Sequence, residues 1–408
     1  MKKQEILGLS DPAQCCGCGA CAVACPVNAI TMVAKDLGAY YPEVNMDRCV
    51  SCGKCQKVCV FQSEEEHSDA PLRVYAAANA DRQQLKGSAS GGVFAALAKS
   101  VIAEGGIVYG CSMEYTHGVL TPMHIGIDTE AALTKLQGSK YVQSKAFHCF
   151  PEVKTHLQSG RVVFFSGTPC QVAALKCYLR ETNTERLFAA DLVCHGTPGT
   201  VLFEDYIARL KKRQNGDITA FSFRDKSSGW GLLAGYQVQD KNGREKQTLL
   251  RPDCSSYYSL FLSSETYRES CYSCPWANTA RVGDVTLGDY WGIENEHPEY
   301  LTENGGKLSA AAGISVLLVN SEQGKTLLKR FGSGLVLEAS NLESASRQNT
   351  QLRKPSSHTA LREELVRCYE TEGYPGVEKL FRKKQGLRYC VRRIKNLFLN
   401  WKNKRRYE

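Results

Sequence analysis

The sequence lacks any long apolar segment and any recognisable export signal. No run of 18 or more apolar side chains, the length that a membrane-spanning helix needs, occurs in its 408 residues. At the start, Met1, Lys2 and Lys3 lead into polar Gln4 and Glu5 rather than into an apolar stretch. We therefore expect a globular protein of the cytoplasm.

A disulfide framework is also not expected. The number of cysteines is nineteen, and an odd count without an export signal argues against paired cysteines. In a reducing compartment, clustered cysteines more often bind metal ions or iron–sulfur clusters. Nine of the nineteen lie before residue 60, so one short segment holds nearly half of them.

The N-terminal cysteines form two runs with the spacing C-x-x-C-x-x-C-x-x-x-C. Three thiolates at such intervals reach three corners of one cubane cluster, and the fourth cysteine of each run binds the other cluster. One 4Fe–4S cluster is therefore expected to bind Cys15, Cys18, Cys21 and Cys59. The other is expected to bind Cys49, Cys52, Cys55 and Cys25. Cys16 is left over and is predicted to be unligated.

Structural zinc is the alternative for these cysteines. Zinc sites usually take two separated pairs of ligands rather than runs of four. Pro26 follows the fourth cysteine of the first run, as in bacterial ferredoxins. The spacing therefore favours iron–sulfur clusters.

Beyond a polar, acidic break at residues 62–71, strand-like and helix-like patterns alternate. Strands are predicted at 73–78, 107–113, 161–166, 187–194, 282–288 and 314–319. Helices are predicted at 92–104, 170–180, 201–213 and 322–331, and a hairpin with its turn at Asn242 and Gly243 is predicted within 232–250. We therefore expect a ferredoxin-like domain (1–61), a linker (62–71), an α/β (α+β) core (72–375) and a basic tail (376–408).

Two polar turns in the core are candidate ligand sites. The glycine- and serine-rich turn at 87–92 precedes an apolar helix, an arrangement that suits a phosphate or another anion, although such turns are more often simple helix caps. The segment 138–144 combines Lys140, Tyr141, Gln143 and Ser144. It is compatible with an aromatic, anionic cofactor or with a solvated turn.

Four core cysteines follow predicted strands or loops, namely Cys170, Cys194, Cys271 and Cys274. Three interpretations stay open: a third cluster, a redox-active pair formed by Cys271 and Cys274, and buried inert thiols. His195 follows Cys194 and is a candidate proton carrier, because its pKa lies near neutrality. A structural hydrogen bond is the alternative role for this histidine.

The basic tail is predicted to contain an amphipathic helix. Twelve Lys or Arg residues and one Glu lie in residues 379–408, which accounts for the net charge of +9. Apolar Val391, Ile394, Leu397, Phe398 and Trp401 recur at helical spacing. Such a helix lies on an anionic membrane, docks a partner protein or is simply solvated.

Several motifs together resemble those of the family of coenzyme F-420 hydrogenase/dehydrogenase beta subunits, over residues 1–370. They are SGGVFAALA from Ser90, GSKYVQS from Gly138, GTPCQ from Gly167, CYSCP from Cys271 and GDYW from Gly288. The resemblance implies an FAD- and iron–sulfur-dependent oxidoreductase. It implies that FAD contacts Ser88, Ser90, Gly91, Gly92, Lys140, Tyr141, Gln143, Ser144 and Thr168. It also implies that Cys170, Cys194, Cys271 and Cys274 bind a third 4Fe–4S cluster.

The function expected from this resemblance is electron transfer between a two-electron substrate and a one-electron partner. The substrate is reduced coenzyme F-420 or another hydride donor or acceptor, and the partner is ferredoxin or another protein of a complex. The alternatives are a non-catalytic electron-transfer component of a larger complex and a ferredoxin-dependent reductase of another organic substrate. No nucleic-acid partner is expected, and the tail is the candidate for peripheral membrane contact.

Overall fold

The computed structural model describes residues 12–62 and 70–407, without the side chains of Pro12 and of residues 403–407. Most of the predicted linker, residues 63–69, lies outside the described residues, as does the start of the ferredoxin-like segment. The strands are β1 (Ile30–Lys35), β2 (Ala39–Val44), β3 (Arg73–Asn79), β4 (Ile107–Thr116), β5 (Val119–Ile127), β6 (Val163–Gly167), β7 (Leu187–Leu192), β8 (Asp217–Ser222), β9 (Ala234–Gln239), β10 (Glu245–Leu250), β11 (Val285–Asp289), β12 (Ser315–Val319) and β13 (Leu335–Ser340).

The α-helices come from three parts of the described chain: the N-terminal segment, the core and the C-terminal region. They are α1 (Ala20–Val23), α2 (Lys54–Lys57), α3 (Arg82–Gly87), α4 (Val93–Ala103), α5 (Leu133–Leu136), α6 (Phe150–Gln158), α7 (Pro169–Tyr178), α8 (Thr200–Gln214), α9 (Ser256–Leu262), α10 (Ile293–Glu296), α11 (Glu322–Phe331), α12 (Leu342–Arg347), α13 (Leu361–Glu372), α14 (Tyr374–Gln385) and α15 (Leu387–Tyr407). The predicted boundary between core and tail at 375/376 falls inside α14.

The predicted core elements are confirmed, with ends that differ by three residues or fewer. Asn242 and Gly243 turn the β9–β10 hairpin, where Gly243 adopts a positive φ of 78°. The structure adds β1, β2, β5, β8 and β13, which the sequence did not predict.

An eight-stranded mixed sheet forms the centre of the core, in the order β13-β3-β12-β11-β7-β6-β4-β5. Strands β11, β7, β6 and β4 are parallel to one another, and the outer strands pair antiparallel. Both faces of the parallel block are covered, as its continuous apolar strands require. On β6, Phe164 packs on the side of α4 and α11, and Phe165 packs on the side of α6 and α7.

A second hydrophobic cluster joins the antiparallel sheet β10-β9-β8 to α8, α9, α13 and α14. The N-terminal segment is built on the β1–β2 hairpin with the one-turn helices α1 and α2. Among the helices of the described chain, none combines the length and the apolar content that crossing a bilayer requires.

A buried ion pair fixes the carboxyl end of the parallel block. Asp191, at the end of β7, is fully buried and accepts hydrogen bonds from Arg281 Nη2 at 3.0 Å and from the N–H groups of Val282 and Gly283. Thr286, on the adjacent strand β11, donates to the same carboxylate. This carboxylate therefore connects β7 to the loop that precedes β11.

We expect Asp191→Ala to destabilise the protein by about 3–5 kcal/mol, because it leaves the Arg281 guanidinium buried without its counterion. The thermal unfolding midpoint measures this effect. Asp128→Ala is the control, since it removes an exposed partner of Arg161 and should cost no more than about 1 kcal/mol. Equal shifts for the two variants would contradict the prediction.

Candidate functional site

The first N-terminal group consists of Cys15, Cys18, Cys21 and Cys59. Their thiols are close enough to interact electrostatically, so the fourth cysteine of the second run joins the first three of the first run. Burial raises the pKa of Cys15, Cys21 and Cys59, and the neighbouring thiols add to this effect. Such an environment disfavours isolated thiolates and leaves their charge to be compensated by a bound cation or cluster.

The second N-terminal group consists of Cys25, Cys49, Cys52 and Cys55, which line one small cavity. Cys25 Sγ accepts a hydrogen bond from the Ala29 N–H at 3.2 Å, the type of amide contact that stabilises a thiolate ligand. Gly53 precedes α2 in the left-handed conformation, with φ at 74°. It lets the loop turn directly after Cys52.

No set of three or more His, Cys, Asp or Glu side chains closes around a single metal ion in residues 12–62 and 70–407.

The core group consists of four cysteines from three different loops. Cys170 lies in the first turn of α7, directly after β6, and Cys194 follows β7. Since β6 and β7 are parallel neighbours, their carboxyl ends meet at one edge of the sheet. Cys271 and Cys274, after α9, reach the same place, and electrostatic interactions between the thiols link all four.

Cys16 lies between the first N-terminal group and the core group. Its side chain is 5% exposed, and its thiol interacts with the thiols of both Cys18 and Cys170, which raises the pKa of Cys16. The sequence left Cys16 without a role, but the fold places it at the junction of two cysteine groups. The same contact, with a hydrogen bond from Thr168, lowers the pKa of Cys170.

Arg268 occupies the same junction as a buried cation. Its side chain is 2% exposed, and it donates to Cys15 O at 3.2 Å, Gln143 Oε1 at 2.8 Å and Tyr40 O at 2.9 Å. The guanidinium also lies over the ring of Tyr41, 4.4 Å from its centroid. These partners are neutral, so its charge acts on the surrounding thiols.

Two glycines allow the N-terminal loop to approach this junction. A Cβ at Gly17 would lie 2.4 Å from Arg268 Nη1, and a Cβ at Gly19 would lie 2.3 Å from the ring of Phe147. Both glycines have positive φ, 63° and 72°. The first cysteine run therefore has two roles: its cysteines have the spacing of cluster ligands, and the glycines between them let the loop pack against the core.

A cavity of about 440 Å³ opens at the same sheet edge, within the size range of cofactor sites. Its walls include all three segments that the sequence singled out: the 87–92 turn, the 138–144 segment and the ends of β6 and β7. Cys194 lines the cavity and also belongs to the core group. The cavity and the core group are thus in direct contact.

The 87–92 turn packs tightly against the sheet. A Cβ at Gly91 would lie 2.3 Å from Ala77 O, and the Gly91 N–H donates to Ser315 Oγ at 3.0 Å. Gly92 directly precedes α4 and has φ at 73°. Ser90 donates to Ile314 O. Close packing against the sheet is therefore enough to explain the glycine at position 91. The start of α4 nevertheless faces the cavity.

The side chains of Ser88 and Lys140 are held by backbone carbonyls. Ser88 donates to Gln84 O at 2.8 Å. Lys140 Nζ donates to the carbonyls of Leu136 and Gln137 at the end of α5, and burial lowers the pKa of Lys140 to about 8. Both residues line the cavity, so Lys140 brings a cation to its wall.

Tyr141 and Gln143 connect the cavity wall to other parts of the site. The ring of Tyr141 stacks on Phe261 with centroids 4.6 Å apart. Gln143 is buried and turns its amide toward the cysteine loop, where it donates to Cys16 O at 2.8 Å and accepts from Arg268. The segment predicted to bind a cofactor therefore also anchors the N-terminal domain.

Ser144 belongs to a buried hydrogen-bond chain behind the cavity. Because Ser166 O can only accept, His124 Nε2 donates to it at 3.0 Å, and His124 Nδ1 accepts from Ser144 Oγ at 2.8 Å. Gln171 Nε2 donates to Ser144 Oγ at 3.1 Å. Burial lowers the pKa of His124 to about 4, so this chain contains a neutral imidazole at physiological pH.

His195 lines the cavity beside the core group. Burial among the cavity walls lowers its pKa, and Asp289 opposes this shift. The imidazole therefore lines the cavity with a pKa lowered by burial, and its role as a proton carrier stays a prediction.

An aromatic and charged cluster next to the cavity escaped the sequence prediction. Arg224 pairs with Asp289 at 2.8 Å and donates to the Tyr141 hydroxyl at 3.0 Å. The rings of Trp230 and Trp291 pack on each other with centroids 4.6 Å apart, and the Arg224 guanidinium lies beside this pair, 5.5 and 5.7 Å from the two centroids. Among the described residues, the buried Arg224 Nε and Trp230 Nε1 have no hydrogen-bond partner. The motif at 288–291 was a signal for Asp289 and Trp291, but nothing singled out Arg224.

Comparison with known families gives two matches, one in the core and one in the N-terminal segment. The family described as the C terminus of the beta subunit of coenzyme F-420 hydrogenase/dehydrogenase matches residues 160–345. The 4Fe–4S dicluster domain matches residues 14–63. The second match supports 4Fe–4S binding by the N-terminal segment.

Individual relatives are distant. The chain is 24% identical over 219 residues to the F subunit of F(420)H(2) dehydrogenase from Methanosarcina mazei, a match that covers 51% of this chain and 61% of that protein. The chain thus spans less than two thirds of that relative. A chain of the F-420-reducing NiFe hydrogenase complex from Methanosarcina barkeri is 15% identical, with a TM-score of 0.42 over 80% of this chain and 97% of that chain. The chain is thus similar to the beta subunits of coenzyme F-420 hydrogenase/dehydrogenase over residues 160–345 and to 4Fe–4S dicluster domains over residues 14–63.

Proposed function

We propose that this protein is an iron–sulfur flavoprotein oxidoreductase that exchanges electrons between a hydride donor or acceptor and a one-electron partner. The observation that carries the proposal is the continuity of its sites. Cys194 joins the cavity to the core group, and Cys16 joins the core group to the first N-terminal group. FAD in the cavity would exchange two electrons with a substrate, and 4Fe–4S clusters carry one electron each.

The cavity fits FAD in its chemistry. Tyr141, Phe94 and Trp291 provide apolar and aromatic walls for a ring system, while the start of α4 and the Lys140 ammonium suit phosphate groups. His195 would hold or release a proton at the cavity surface.

Cysteine residues of the core group fit a third 4Fe–4S cluster. Four thiols from three loops surround one place, and Arg268 supplies a positive charge beside it. Burial raises the pKa of Cys271 to about 11, which disfavours the alternative of a reactive dithiol with Cys274.

A partner protein is part of the proposal. The relative from Methanosarcina mazei is named as one subunit of a dehydrogenase, so a complex with other proteins is a natural setting for this chain as well. The second N-terminal group contains Cys52, which is exposed, and thus lies at the surface. We propose that ferredoxin or another protein of a complex exchanges electrons at this surface.

Protein purified or reconstituted under anaerobic conditions is expected to bind one FAD per chain, and Gly110→Phe is expected to weaken this binding at least about tenfold. A Cβ at Gly110 points at Leu136 and Phe94, which line the cavity, so a phenyl group would fill the flavin space. Flavin absorbance after desalting measures the binding. Gly110→Ala is the control, because its Cβ makes ordinary contacts of 3.4 Å or more.

If the reconstituted protein contained iron–sulfur clusters but no flavin, the result would favour the alternative of a non-catalytic electron carrier. Reduced coenzyme F-420, NAD(P)H and reduced ferredoxin, supplied separately, would then identify the electron donor of a flavin-containing protein. Flavin reduction by ferredoxin alone would favour the ferredoxin-dependent reductase of another organic substrate.

A further inference from the structure

The C-terminal helix α15 is attached to the protein by its polar face. Asn396 and Asn400 hydrogen bond to the free edge of β10: the N–H groups of Leu249 and Arg251 donate to their side-chain oxygens at 2.8 Å. Both asparagine side chains donate back to Leu249 O, at 3.1 and 2.8 Å. These contacts satisfy backbone groups of an edge strand and fix the rotation of the helix.

The opposite face of α15 is apolar and exposed. At 100° per residue, Leu387, Val391, Ile394 and Phe398 fall within about 60° of one another, on the side away from Asn396. Their exposed fractions are 88%, 55%, 54% and 61%. A surface helix normally buries its apolar stripe against the protein, so the orientation of α15 is inverted. We call these four side chains the apolar stripe.

Cations flank the apolar stripe along the helix. Arg388, Lys395 and Lys402 are exposed and fall on one side of it by the same helical geometry. The sequence of α15 contains no acidic residue. The outer surface of this helix therefore combines apolar side chains with positive charge only.

We propose that α15 lies flat on an anionic lipid bilayer, with the apolar stripe in the acyl boundary and the flanking cations at the phosphates. Basic amphipathic helices bind membranes in this way. The charges are complementary to anionic headgroups, and a straight convex helix face needs no matching groove on a planar surface. The proposal is independent of the redox function.

Vesicle flotation with the full chain tests the proposal. We expect binding to vesicles of phosphatidylglycerol and phosphatidylcholine in equal amounts, and little binding to phosphatidylcholine alone. Each of the substitutions Arg388→Gln, Lys395→Gln and Lys402→Gln removes one cation and should weaken vesicle binding about fivefold.

The triple variant Val391→Ser, Ile394→Ser and Phe398→Ser should weaken binding at least about a hundredfold, since it removes most of the apolar area. Leu72→Ser with Val119→Ser is the matched control, because both are exposed apolar residues away from α15. Circular dichroism verifies that each variant is folded. Unchanged binding of the triple variant, or no binding of the parent chain to anionic vesicles, would overturn the proposal. Binding of α15 to an acidic soluble protein without any vesicle binding would also overturn it.

Discussion

Cys271→Ala is expected to lower the iron content from about twelve to about eight atoms per chain, because each cubane holds four irons. Cys271 belongs to the core group, and its removal leaves three ligands for the proposed third cluster. FAD should be retained, since Cys271 does not line the cavity. Electron transfer from a reduced flavin to an external one-electron acceptor should then fall to a small fraction of its parent rate. Iron analysis and stopped-flow absorbance measure the two effects.

Cys254→Ala is the matched control for this experiment. Cys254 is a buried cysteine outside the three cysteine groups, packed in the cluster around α8 and α9. Its replacement should leave about twelve irons per chain. Eight irons in the parent protein, or twelve in Cys271→Ala, would contradict the assignment of the core group.

Arg268→Met is expected to lower the midpoint potential of a cluster beside it by about 70 mV. A unit charge at about 10 Å contributes about 1.7 kcal/mol at an effective dielectric constant of about 20, and a tenfold change in a one-electron equilibrium corresponds to about 59 mV. Removing a buried cation disfavours the added electron, so the potential falls. Redox titration followed by electron paramagnetic resonance measures the shift.

Arg268→Lys separates charge from packing in this test. Lysine keeps the positive charge but cannot reproduce the three separate hydrogen bonds to Cys15, Gln143 and Tyr40. In Arg268→Lys, the midpoint potential of the cluster should stay within about 20 mV of the parent value, although both variants lose stability. Equal shifts in the two variants would mean that Arg268 acts through packing alone.

The core elements that the sequence predicted are those with strong local patterns. The strands of the parallel block are continuous apolar runs, and their helices have amphipathic or apolar periodicity. Two of the strands that the sequence missed, β5 and β13, are the edges of the large sheet. Pro122 interrupts the pattern of β5, and proline is tolerated there because an edge strand needs fewer ladder bonds. The partly buried β13 has no continuous apolar run.

The predicted cofactor contacts were only partly informative. Ser88, Lys140, Gln143 and Thr168 all line one cavity, but each side chain also has a protein partner that no local pattern indicates. Gln143 in particular reaches a residue 127 positions away. Arg224 escaped notice because an isolated arginine carries no signal until the fold places it beside Asp289 and a pair of packed tryptophans.

By itself, the sequence determined the two N-terminal cysteine groups, the α/β alternation and the similarity to the coenzyme F-420 hydrogenase/dehydrogenase beta subunits. Cysteine spacing, periodicity and short motifs are local properties, so they are readable without a fold. Only the tertiary structure decided that Cys16 bridges two cysteine groups, that Arg268 lies between them and that the apolar stripe of α15 faces outward. These facts depend on contacts between residues more than a hundred positions apart, at the junction of the cysteine groups for Arg268 and at the free edge of β10 for α15.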